Sequence, residues 1–160
     1  GLTARGLSPV HAAALVGNMQ QESSFNPTHV NPKEDAHGLL QWRLDRWQAL
    51  QDFAKQRGTS PTDRETQLDF IGHEMGGSER KAGSKFLAAT DLPSANAALK
   101  SYIRYGDNSA DTRLSNAARL LGQPATTRVS ASQNPGQIAT QNPDQVASLS
   151  VSSQHGVSHD

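Results

Sequence analysis

The chain of 160 residues carries 15 basic and 15 acidic side chains and is 34% hydrophobic, with no cysteine. Its length suits one domain, and its zero formal charge argues against a general nucleic-acid binder, which needs excess Lys and Arg to displace counterions from phosphates. The missing cysteines remove disulfide scaffolds, zinc–thiolate sites and cysteine nucleophiles together.

No basic stretch followed by an apolar one marks a signal peptide at the N-terminus. The start at Gly1 rather than Met points to a piece of something longer or to a processed chain. Ser8-Pro9, a cap followed by proline at the first helical position, opens a helix over Val10–Ser24, and Asn26-Pro27 ends it. Ala12, Leu15, Val16 and Met19 share one face of that helix. The apolar runs here, Val10 and Ala12–Val16 around His11, are too short to span a membrane. Residues 28–37 read as a polar loop, too poor in β-branched side chains for a strand. A second helix is expected from Gln41 to Gln56 with Gly58 as its stop. A third starts at Ser60-Pro61-Thr62 and aligns Leu68, Ile71 and Met75. Further helices are expected over Ser78–Ala89, Pro93–Tyr105 and Ala110–Leu121, the last stopping at Gly122. Six helices without a clear strand make a mainly α fold.

The composition changes near Gly122. All eight aromatic residues lie between Phe25 and Tyr105, and after Gly122 the only charged residues are Arg128, Asp144 and Asp160. Gln133–Ala139 returns, with two changes, as Gln141–Ala147, a two-copy repeat too short for a solenoid. So polar a stretch cannot bury enough apolar surface to offset its ordering entropy. Residues 1–122 are therefore expected to form the folded, functional domain, and residues 123–160 a flexible polar linker or tail.

Chemistry concentrates in two stretches. Glu22 follows Met19 by three residues and Leu15 by seven, so it continues the apolar stripe and falls in the last turn of the first helix. Partial burial and the negative end of the helix dipole both disfavour its ionised form, as a general acid requires. A glutamate that merely closes a helix at the surface is the plainer alternative. In the second stretch, His37-Gly38-Leu39-Leu40-Gln41-Trp42, Gln41 can exchange hydrogen bonds with hydroxyls and amides, and Trp42 can stack on a sugar face. Trp42 and Trp47 could equally be core residues of an amphipathic helix.

Taken together, Glu22-Ser23 with Phe25 and Pro27, followed by Gly38-Leu39-Leu40-Gln41, resembles the lysozyme-like superfamily of peptidoglycan-cleaving enzymes. Gly17-Asn18, Gln41-Trp42 with Arg46, and Tyr105, Arg113 and Ala117 are more similar to its phage tail lysozyme branch. The resemblance covers residues 5–122 and implies a helical domain with a substrate cleft. It also implies cleavage of the β-1,4 bond between N-acetylmuramic acid and N-acetylglucosamine. On it, Glu22 matches the catalytic acid, and Ser23 a residue that hydrogen-bonds and orients the Glu22 carboxyl. Gly38, Leu40 and Gln41 match the segment contacting sugar, and Tyr105 a tyrosine at the cleft rim. Position 40 is Leu where many relatives carry Met. Where such enzymes use two acids, Asp35 is the first choice for the second, with Glu34 and Asp45 as rivals. Where they use one, the product is an anhydro sugar, as in lytic transglycosylases.

Other constellations fail. His73-Glu74 would begin a zincin motif, but position 77 is Gly, and the six histidines show no metal-ligand spacing, so neither metal nor cofactor is expected. Arg80, Lys81 and Lys85 make a small basic face. The expected partner is the peptidoglycan glycan strand, with no nucleic acid and no membrane span. The site of action would be the bacterial cell wall or periplasm, reached as part of a larger polypeptide in a virion or through a secretion machine. A non-catalytic cell-wall-binding module and a structural domain of an assembly are the competing classes.

Overall fold

A computed structural model describes residues 1–122; residues 123–160, expected from sequence to be a linker or tail, lie outside the described residues. Six α-helices follow a single 3-10 turn at Thr3–Arg5: α1 (Pro9–Ser23), α2 (Leu44–Gln56), α3 (Arg64–Gly76), α4 (Arg80–Ala88), α5 (Leu92–Ile103) and α6 (Ala110–Leu120). The mainly helical reading holds. The loop over residues 28–37 is more ordered than its composition implies, because it folds into a hairpin of two-residue strands, β1 (Val30–Asn31) and β2 (Ala36–His37). Val30 pairs with His37 and Asn31 with Ala36, antiparallel.

The helix boundaries follow local chemistry. Ser8 caps α1 by accepting from the His11 N–H at 3.2 Å, with Pro9 in the first turn where its missing N–H costs nothing. Ser24, left-handed at φ 52, ends α1 as its N–H returns to Gln20 and Met19 carbonyls. The second helix begins at Leu44, not Gln41. Gly38–Gln41 closes a turn through Gln41 N–H to Gly38 O at 3.2 Å, and Trp42 is held in a bridge whose two hydrogen bonds to His37 are each 2.9 Å. Asp63, rather than Ser60, caps α3 through the Thr66 N–H, and Asp91 caps α5 through the Ser94 N–H.

Helix α1 runs through the core, packed on α5 and α6; α4 links α3 to α5, and α2 lies on α3. Leu15, Leu50, Phe86, Leu99 and Tyr102 are fully enclosed, and burying an aliphatic or phenyl side chain of this size contributes about 1.5–3 kcal/mol. The α1–α6 seam is unusually close. A Cβ at Gly17 would stand 2.7 Å from both the Arg113 carbonyl oxygen and the Ala117 nitrogen, so only glycine lets α6 approach so near. That approach brings α6 beside the C-terminal turn of α1, where Glu22 sits.

Candidate active site

Glu22 occupies the last turn of α1 and is mostly buried, its side chain 14% exposed. It opens into a cleft of about 480 Å³ whose wall also carries Glu34, Tyr105, Asp107 and Arg113. The principal contact of Glu22 is with Arg113 on α6, whose Nη1 lies 2.7 Å from Glu22 Oε1. The contact is a short pairing of opposite charges, and Oε1 is buried against Arg113. The Tyr105 hydroxyl is buried and unpartnered on the same wall.

Arg113 is 2% exposed, and everything around it fixes its position. Its Nε donates to Ser109 Oγ at 2.7 Å, and Ser109 in turn donates to Asp107. Its Nη1 donates to Asn18 Oδ1 at 3.1 Å, and the Asn18 amide donates to Ala14 O and to Asn96 Oδ1. The guanidinium carbon lies 3.7 Å from the centre of the Tyr105 ring, a cation–π stack.

Two opposed effects act on the Glu22 proton. Burial raises its pKa above the ordinary glutamate value and is the larger effect; the Arg113 charge pulls the other way, while Asp107 and Glu34 add small upward pushes. The net direction is upward. Asp107 itself is held below the usual carboxylate range by hydrogen bonds from Ser109, so it stays ionised. Burial also raises the Tyr105 phenol, which remains protonated and able to donate.

The residues singled out in the sequence divide sharply. Glu22, Gln41 and Tyr105 line the cleft. Asp35 does not: it sits in the hairpin turn at φ 50, 76% exposed, and accepts from His37 Nε2 at 2.7 Å. The hairpin directs its neighbour Glu34 into the cleft instead, while Asp45 lines a separate, adjoining cavity. Ser23 is buried, and its hydroxyl lies 3.1 Å from the carbonyls of Met19 and Leu39, not on the Glu22 carboxyl. It orients Glu22 only through the backbone, by tying the end of α1 to the Gly38–Leu39 turn. Leu40 is a core residue, 3% exposed.

Trp42 is also a core residue rather than a sugar platform: the bridge to His37 turns its ring inward, where it is 1% exposed and donates Nε1–H to Glu74 at 2.9 Å. Trp47, half-buried, stacks on His37 with ring centres 4.2 Å apart. Gly38 is in the left-handed region at φ 76, and a Cβ there would meet the Gln67 side chain at 2.7 Å. Gln67 uses that space to clip three segments together. It accepts from Leu39 N–H at 2.9 Å and donates to Pro27 O and Pro61 O at 2.8 Å each.

Arg113 and Asp107 received no role from the sequence. The signal for Arg113 was its place four residues before Ala117 on the apolar stripe of α6, where a charge must find a buried partner. Among the described residues no group of three or more metal-ligating side chains converges, and no helix is long and apolar enough to cross a membrane.

Residues 1–123 match the profile of the phage tail lysozyme family. The chain belongs to that family. The match spans every described element, including the cleft, α1 with Glu22 and α6 with Arg113. Phage tail lysozymes are lysozyme-like proteins, and a peptidoglycan-related role follows from membership. No curated protein and no solved structure matches the chain significantly.

Proposed function

We propose that residues 1–122 form a catalytic domain that cleaves the β-1,4 bond between N-acetylmuramic acid and N-acetylglucosamine, with Glu22 as general acid. One observation carries the reading. A mostly buried carboxyl, whose protonated form is favoured by burial, lines a cleft of about 480 Å³ and has Arg113 as its one short contact among the described residues. In the step proposed, Glu22 gives its proton to the bridging oxygen as the C1–O bond breaks, and the bond's electron pair leaves with the glucosamine sugar. In hydrolysis, water adds at C1 and its proton passes to a carboxylate. Glu34, on the cleft wall, is the better-placed second acid, and Asp35 is set aside.

A second reading is favoured by Arg113. A group that must first donate and then accept a proton works best when its pKa is not driven too high, and Arg113 opposes the effect of burial. That suits a lytic transglycosylase, in which the muramic 6-hydroxyl attacks C1 and returns its proton to Glu22. Mass spectrometry of the products from purified peptidoglycan separates the two: reducing muramic ends mean hydrolysis, 1,6-anhydro ends transglycosylation. Full cleavage by a folded Glu22→Gln protein would falsify both. The family's association with phage tails supports delivery to the cell wall on a virion, as one domain of a larger polypeptide.

A further inference from the structure

A second cavity, of about 270 Å³, adjoins the Glu22 cleft and shares Gln41, Arg43, Ile103 and Arg104 with it. Three of the residues that line it, Gln41 (φ 55), Leu44 (φ 48) and Arg104 (φ 66), hold left-handed backbone without being glycine. Arg104 takes that conformation as the C-cap that ends α5, whereas Gln41 and Leu44 take it along the turn that leads into α2. The walls are rich in guanidinium. Arg46 is already committed to Glu74, with its Nε and Nη2 donating at 2.7 and 2.8 Å. Arg43 and Arg104 are not committed in that way. Arg43, 50% exposed, has only Glu34 Oε1 among the described residues, at 3.7 Å, beyond hydrogen-bond reach. Arg104, 59% exposed, gives one Nη2 bond to Glu79 at 2.5 Å and has no other acceptor among the described residues. The acidic groups near them are Glu34, Glu79 and Asp45, the last lining the cavity itself, with Glu22 and Asp107 on the cleft that both arginines also line. The Arg43–Glu34 pair is exposed on both sides and readily exchanged, while Arg104 holds the 11% exposed Glu79 through one nitrogen and keeps the rest of its fork for a carboxylate.

We propose that Arg43 and Arg104 form a carboxylate-reading subsite beside the cleft, and that it takes a free acid of the peptide carried on the muramyl sugar. The inference rests on the glycan-cleaving reading, since that reading places a muramyl residue in the adjoining cleft. The subsite makes the preferred substrate a peptide-bearing glycan rather than a bare one. The two arginines act on substrate affinity, and Glu22 keeps the chemistry.

The test is calorimetric binding to the Glu22→Gln protein, which cannot turn the ligand over. Two synthetic N-acetylglucosaminyl-N-acetylmuramyl peptides serve as probes, identical except that the peptide acids of one are converted to amides. The free-acid form should bind at least about tenfold tighter, with the advantage shrinking as salt rises. Arg43→Gln and Arg104→Gln should each cut that advantage to about threefold, and the double variant should abolish the difference between the two probes. Equal affinity for the two probes, or an advantage that survives in the double variant, would overturn the subsite. Cleavage of peptidoglycan by the unmutated protein, run beside it, keeps the two readings apart. Cleavage without acid preference overturns the subsite alone, whereas absence of both cleavage and binding in a folded protein overturns the groove reading with it.

Discussion

Glu74 on α3 and Glu22 on α1 are both carboxylates withdrawn from water beside an arginine, and they are kept in opposite ways. Glu74 is 1% exposed and saturated: Trp42 Nε1, Arg46 Nε and Nη2, and the Tyr102 hydroxyl all donate to it, at 2.6–2.9 Å. Arg46 then reaches the Tyr102 carbonyl at 2.8 Å, so α2, α3 and α5 meet on one carboxylate. Glu22 has one short contact among the described residues, Arg113 Nη1 at 2.7 Å from Oε1, in place of four donors. A saturated carboxylate has no capacity to engage anything else and works as a fastener. An unsaturated one that opens into a cleft retains the capacity for chemistry, at a cost in stability that the fold must carry.

Substitutions at the two sites should therefore separate activity from stability. Glu22→Gln is expected to lower cleavage by about a thousandfold, in line with what a positioned general acid contributes, and to leave the far-UV spectrum intact; dye-release assays on labelled cell walls would measure it. Glu74→Ala should do the reverse. It strands Arg46 as a half-buried charge and should cost about 3–5 kcal/mol, read as a drop in urea midpoint, with the activity of the remaining folded protein retained. Gly17→Ala drives a methyl into the backbone of α6 and is expected to cost about 1–3 kcal/mol by thermal unfolding, loosening the Glu22–Arg113 pair as it does so. Tyr102→Phe removes one of four donors from Glu74 and should cost about 1–2 kcal/mol with activity unchanged.

The finest test is of pH dependence. A general acid must be protonated, so activity should fall as pH rises through the elevated Glu22 pKa. Arg113 lowers that pKa, so Arg113→Gln should move the alkaline limb to higher pH, and Arg113→Lys should bring it back towards its original position. Stability carries the same signature. A carboxyl that holds its proton more tightly folded than unfolded makes the protein lose stability as pH rises from the ordinary glutamate range to the elevated value. Glu22→Gln should flatten that slope.

Much of the fold was legible because its signals are local. Ser8-Pro9, Gly58 and the apolar stripes placed the helices, and boundaries moved where a cap or turn took over, as Asp63 and Asp91 do at α3 and α5 and the Gly38–Gln41 turn with the Trp42 bridge does ahead of α2. Glu22 was legible for the same reason: its stripe and its helix end lie within one segment. Its surroundings were not. Arg113 is 91 positions from Glu22 in the chain, and nothing local to either says that Gly17 lets their helices touch. Trp42 stays open in the sequence because an aromatic beside a turn has the same local pattern whether it faces sugar or core; the bridge to His37 and the distant Glu74 decide for the core. Asp35 and Glu34 are adjacent in one hairpin turn, and nothing in their local pattern says which of them lines the cleft.

Gln67 has a consequence for how the molecule breathes. The amide of Leu39 is shielded from deuterium not by a helix or a strand partner but by one side-chain oxygen, 2.9 Å away. A rotamer excursion of Gln67 exposes that amide while all six helices stay intact, and in the same moment lets go of Pro27, just after the Glu22 turn, and Pro61, just before α3. Exchange at Leu39 is thus expected to report local release of the Gly38–Leu39 turn rather than global unfolding. It should run ahead of exchange in the middle of α1, with the interval between them measuring how independently the groove moves.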